Sequence, residues 1–182
     1  QVLLILDEVQ TGLGRTGTLF AHQGYGIEPD VMTLAKGLAN GVPIGAMGCK
    51  KEYAGGFAPG AHACTFGGNP LSTAAAVATL ETLLEPGFMD RAAQIGSYFQ
   101  AKLRELAGAH PQITEVRGRG LMIGVEFDEP VAPLVEKMLE GGIICGPAGA
   151  NVLRFVPPLI VTETEVDRAM AVLSVALGEL GW

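Results

Sequence analysis

"LLILDEVQTGLGRTG", Leu3 to Gly17, places an uninterrupted apolar run beside two acids and a trio of glycines. The run Val2-Leu3-Leu4-Ile5-Leu6 has the composition of a strand buried on both faces of a parallel sheet. Open α/β sheets gather their ligands at the carboxyl ends of such strands, and Asp7 and Glu8 stand there. Gly12, Gly14 and Gly17 have the spacing of a dinucleotide-binding turn, but that turn must open a helix whose N-terminus faces the pyrophosphate. The following residues, "TLFAHQGYGIEPD", carry Gly24, Gly26 and Pro29 and lack helical apolar periodicity. The acids are therefore more informative than the glycines.

Outward from this stretch, Val31 to Ala35 reads as a second short buried strand with Lys36 at its carboxyl end, and Ile44 to Cys49 as a third. Gly55 to Pro70 is almost all Gly, Pro and small residues, a loop that must lie against something to be ordered. Asn69 caps a helix with Pro70 at its first position, and Pro86-Gly87 stops it. A second helix over 88–106 carries Ala92, Ile95, Phe99, Leu103 and Leu106 near helical spacing and ends at Gly108. Then follow the strand "LMIGVEF", the helix "VAPLVEKMLEGG", the strand "NVLRFVPPL" and a closing helix opened by a capping box of Thr162 and Glu165. The fold class is α/β, with residues 1–86 belonging to a mostly parallel sheet domain and 87–182 to a small α+β domain with its own core.

Bulk properties narrow the function classes. The 182 residues are 48% hydrophobic and 17% charged, with a net charge of -7, so the basic footprint that nucleic acid requires is absent. Cys49, Cys64 and Cys145 are far apart, which fits neither a disulfide framework nor a zinc site and suits a reducing cytoplasm. His62 and Cys64 lack further ligands nearby, and His22 and His110 are isolated, so no metal is expected. No apolar run approaches the roughly 20 residues of a membrane span. Met122 and Met138 read as core, and Arg117 and Arg119 as steering the turn into "LMIGVEF". Because the chain opens at Gln1 inside a strand that needs neighbours, it is expected to be the C-terminal part of something longer.

Asp7 and Lys36 can converge on one crevice from adjacent strand ends. On spacing alone this pair reads equally as a buried ion pair or as a reactive amine and acid.

Five blocks in order, "LLILDEVQTGLGRTG", "DVMTLAKGLANGVPIGAM", "TFGGNPLSTAAAVATLE", "RGRGLMIGVEF" and "LRFVPPLIVTETEVD", resemble the class III aminotransferases, pyridoxal-phosphate enzymes of fold type I. Within that family the resemblance is strongest to the enzymes acting on acetylornithine and ornithine, and it covers essentially the whole chain while leaving out roughly the family's first half. It implies the C-terminal part of the fold type I architecture, pyridoxal 5'-phosphate as cofactor, and a homodimer with a shared active site.

The resemblance makes Lys36 the lysine that attaches to the cofactor and shuttles a proton, its amine made nucleophilic by a dry, positive cleft. It makes Asp7 the partner of the pyridinium nitrogen, Val9 a residue packed on the ring face and Gln10 a partner of the phenolic oxygen. Val9 is assigned on the expectation that the strand continues past Asp7, so that it projects to the same side. Glu8 then faces the other way and is assigned to structural pairing. Thr65 is implied to reach the cofactor phosphate of the opposite subunit, and Arg154 to grip the substrate carboxylate through its planar fork. The implied reaction moves the amine of N-acetylornithine, ornithine or a related donor to 2-oxoglutarate. The rivals are 4-aminobutyrate or succinylornithine aminotransferase, glutamate-semialdehyde aminomutase, a nicotinamide oxidoreductase and a non-catalytic fragment. The isolated chain is expected to be inactive.

Overall fold

The structure, a computed structural model, describes residues 2–182, a mixed α/β chain. It divides into two compact units, Gln1–Met89 and Asp90–Trp182.

In the first unit β1 (Ile5–Asp7) pairs in parallel with β2 (Val31–Leu34), and β3 (Ala46–Cys49) adds antiparallel on the other side of β2. Asp30 ties all three together at one end. Its Oδ2 accepts from Leu4 N and its Oδ1 from Lys50 Nζ, both at 2.9 Å, while its backbone carbonyl accepts from Lys50 N. Helix α1 (Pro70–Leu83) begins as its sequence predicts: Asn69 Oδ1 accepts from Ser72 N at 3.0 Å, and Pro70, lacking an N–H, takes the first helical position. Helix α1 packs against a 3-10 turn, Lys36–Ala39, where Leu38 and Ala39 are buried.

One expectation fails here. The run at the start of the chain is not buried on both faces: Ile5 is 60% exposed, and Val2, Leu3 and Leu4 are exposed as well. The physical reason is topological, since β1 is the edge of a three-stranded sheet in which β2 alone is its neighbour.

The second unit has a closed core. Helix α2 (Phe88–Ala107), whose first turn spans the division between units, is followed by β4 (Ile113–Arg119), β5 (Met122–Phe127), α3 (Ala132–Glu140), β6 (Gly146–Pro147), β7 (Val152–Phe155) and α4 (Glu163–Leu180). The strands form an antiparallel sheet in the order β4-β5-β7-β6. Alternation on β5 sends Ile123, Val125 and Phe127 inward, where they meet Phe99, Leu103, Leu153 and Leu173. Helix α2 approaches the β4–β5 turn so closely that a Cβ on Gly96 would overlap the Gly120 backbone. The capping box at α4 is present, with Glu165 N donating to Thr162 Oγ1 and Thr162 N donating to Glu165 Oε2. Strand β4 escapes the sequence reading, which takes "RGRG" only as a lead into the next strand. Among the described residues no helix is long and apolar enough to cross a membrane.

Candidate functional site

The parallel register of β1 and β2 sets Asp7 level with Thr33, so Asp7 and Lys36 lie at the same, carboxyl, end of adjacent strands. Lys36 is exposed, so the described residues do not form the dry cleft expected around its amine; it opens the 3-10 turn with φ of 47°, a left-handed conformation that a residue with a Cβ adopts only under constraint. Leu13, in the glycine stretch, is left-handed too, with φ of 58°, and is 5% exposed. Conformations of this kind cost on the order of 1–3 kcal/mol each and persist where the surroundings over-determine them.

Asp7 Oδ1 accepts from Thr33 Oγ1 at 3.3 Å and from Val9 N at 2.9 Å. The second of these bonds corrects the sequence argument for Val9. The Asp7 carboxylate turns the backbone two residues on, as short acidic side chains do, and β1 stops at Asp7. Val9 therefore sits half-buried in a turn, and strand alternation says nothing about its direction. Gln10 is exposed in the same turn.

Glu8 is 2% exposed and its four acceptor positions are all used. Oε1 accepts from His22 N at 2.9 Å and meets His22 Nδ1 at 3.2 Å; Oε2 accepts from Thr11 Oγ1 at 2.7 Å and Ala21 N at 3.0 Å. Burial pushes this carboxyl up, but the bonds from Thr11, from the His22 and Ala21 backbone and from the His22 ring outweigh it and hold Glu8 below its usual range. Structural pairing understates this role, because Glu8 closes the loop between Thr11 and His22 upon the strand end. Nothing in sequence spacing marks Thr11 or His22 as its partners.

The glycine stretch also declines the dinucleotide role on geometry. Gly12 N donates to Glu8 O, Gly14 N to Leu19 O, Arg15 N to Gly12 O and Gly17 N to Gly14 O, so these donors are spent inside the loop.

Thr65 is exposed, in a turn that the α1 cap secures: Asn69 Nδ2 donates to Phe66 O at 2.9 Å while Asn69 Oδ1 caps the helix. Arg154, in the second unit, lies on β7 between the buried residues Leu153 and Phe155 and so projects to the opposite face of the sheet. The residues level with it on β5 and β6 are Gly124 and Gly146, neither of which flanks it with a side chain. Its Nε is buried without a hydrogen-bond partner among the described residues. Burial pushes the Cys145 thiol up to about 11, so it stays protonated at neutral pH and is a poor nucleophile.

Comparison with known proteins adds the following. Residues 1–177 match the family model described as Aminotransferase class-III. The chain is 51% identical over 180 residues to an acetylornithine aminotransferase of Caldanaerobacter subterraneus subsp. tengcongensis, covering 98% of this chain and 46% of that protein. Among solved structures it is similar to the ornithine aminotransferase from Toxoplasma gondii, with a TM-score of 0.92, 41% identity and coverage of 99% of this chain and 44% of that one. That structure is described as having partial occupancy of PLP at its active site. An S-selective transaminase from Arthrobacter sp., solved with alanine bound, matches with a TM-score of 0.92, 33% identity and coverage of 98% and 44%. The chain thus spans less than half the length of the relatives it matches.

Proposed function

Because this chain belongs to the class-III aminotransferases, we propose that it carries the cofactor-attaching lysine, the ring-tuning acid and the substrate-gripping arginine of a pyridoxal-phosphate-dependent transaminase. The observation that supports the reading is the pairing of Asp7 with Thr33 in parallel register, so that Asp7 and Lys36 stand at the carboxyl ends of adjacent strands. The donor set fits the group: an exposed amine for its aldehyde, an acid for its ring nitrogen, and hydroxyl and amide groups for its oxygens.

When bound, pyridoxal phosphate supplies an electron sink for the substrate carbon that loses its proton. The protein's residues do the rest. Asp7 holds a positive charge on the ring nitrogen, so that the ring draws electrons. Lys36 would hold the cofactor through its ε-nitrogen and would accept and return a proton at that same atom. Val9 would pack on the ring and Gln10 would bond its phenolic oxygen, as the family resemblance implies. Thr65 donates to the phosphate held by the opposite subunit of a homodimer. Arg154 would take the substrate carboxylate through its planar guanidinium, as the family resemblance implies. The donor is N-acetylornithine, ornithine or a related ω-amine, the acceptor 2-oxoglutarate, and the setting the cytoplasm.

The test is to incubate the full-length polypeptide with pyridoxal phosphate, reduce with borohydride and map the modified peptide. Label on Lys36 is expected; label confined to Lys50, Lys51 or Lys102 overturns the assignment. Net amine transfer to 2-oxoglutarate separates a transaminase from an aminomutase. The 182 residues alone are expected to show little or no turnover, since they span less than half the length of the aminotransferases they match.

A further inference from the structure

The glycine stretch at the start of the chain has no part in the chemistry proposed above, yet it is among the most constrained parts of the first unit. Gly12, Leu13, Gly14 and Thr16 are buried. Leu13 has a left-handed backbone that its side chain disfavours, so something holds it there. Two sets of contacts do so.

The first is the Glu8 carboxylate. It receives Thr11 on the near side of the loop and the Ala21 and His22 backbone on the far side, so one buried acid closes the whole excursion. The Glu8 backbone extends the tie, accepting from Gly12 N and donating to Thr33 O, both at 3.0 Å. The loop is thereby anchored to β2 three residues before Lys36.

The second is the approach of Leu13 to the lysine's own turn. The position a Cβ would take on Gly37 lies 3.7 Å from Leu13 Cδ1 and 3.9 Å from Leu13 Cβ, ordinary packing distances. Similarly, a Cβ on Gly12 would lie 3.3 Å from Leu34 Cδ2. The loop thus runs close to Leu34 and Gly37, which flank Lys36 in the chain. On the following residues helix α1 packs against the same 3-10 turn. Lys36, left-handed itself, follows β2 and opens the turn that Leu13 approaches at Gly37 and that α1 packs against.

We infer that the Glu8-closed glycine loop is a positioning device for Lys36, acting through the approach of Leu13 to Gly37. The inference rests on the reading of Lys36 as the cofactor-attaching amine. Leu13 and Glu8 touch neither cofactor nor substrate in this scheme. They fix the backbone from which the reacting amine projects, where displacements on the order of 1 Å change rates about a hundredfold.

Two measurements test it. In the 182-residue chain, hydrogen exchange is followed at the amides of Leu38 and Asn40, which close the lysine's turn by donating to Ala35 O and Gly37 O. Leu13→Ala, Leu13→Gly and Glu8→Gln each speed exchange there about tenfold, while Ile123 and Leu173 in the second unit do not change. In the full-length polypeptide, limited reductive labelling with pyridoxal phosphate and cyanoborohydride is scored as the ratio of label on Lys36 to label on Lys51, an exposed internal control that general destabilisation affects equally. The ratio falls about tenfold in the same three variants and is retained in Leu13→Met, which keeps the volume. Leu13→Gly separates strain from contact, since it relieves the left-handed backbone but removes the side chain. A wild-type ratio in Leu13→Gly or Glu8→Gln overturns the inference. Absence of label on Lys36 in the unmutated protein is a different failure: it removes the functional reading, and the inference with it.

Discussion

The two units reach order by different means. From Asp90 onward a continuous cluster of buried side chains, including Phe99, Leu103, Phe127 and Leu173, lies between the sheet and its helices. Before it, buried apolar residues are few, and order is kept by polar ties: Asp30 across three strand ends, Glu8 across a loop, Asn69 between a turn and a helix. Among the described residues, the first unit also bears every positive-φ residue that is not glycine: Leu13, Lys36 and Asn40. Burial makes a scaffold, whereas directed hydrogen bonds hold groups in positions that they would otherwise leave.

The largest expected effect is therefore in the second unit. Leu103 is fully buried, and Leu103→Ala should cost about 2–5 kcal/mol in urea denaturation through lost burial and the cavity left behind. A cost below about 1 kcal/mol would mean that this core is looser than it looks. Next is Gly96→Ala, whose new methyl meets the Gly120 backbone and should destabilise by about 1–3 kcal/mol, checked by the shift in melting temperature.

Acid sharpens the comparison further. Glu8 titrates below its usual value of 4.5, so its stabilising contribution is complete above that pH and is lost as pH falls through the depressed value. The amides of Ala21 and His22, which donate to that carboxylate, should lose hydrogen-exchange protection at a higher pH than those of β5. Simultaneous loss in both units would break the distinction drawn between them. The smallest effect is expected at Ile5, 60% exposed on β1, where Ile5→Thr should change the stability of this chain by no more than about 0.5 kcal/mol.

Sequence legibility follows the same division. The cap of α1 by Asn69 and the capping box of α4 are local, four-residue events, and the sequence states them outright. Strand β4 is not local: with Gly118 inside it and a bulge between Ile113 and Glu115, it becomes a strand only by pairing with β5. At the site, Asp7 and Lys36 were legible as strand-end residues, because strand order and direction fix which end they share. The turn at Val9 was not, since it depends on which way the Asp7 carboxylate folds back. The left-handed backbone at Lys36 and the reach of Glu8 to His22 were equally hidden, being set by contacts between segments far apart in the chain.

The brevity of β1 has a mechanical consequence. From the Asp30 pin at Leu4 to the Asp7 carboxylate the strand runs three residues, about 10 Å at roughly 3.3 Å per residue. A tilt of about 3° about that pin moves the far end by only about 0.5 Å, near the tolerance within which reacting groups must be held. A short lever fixed at its root needs little bulk around it to keep its tip still.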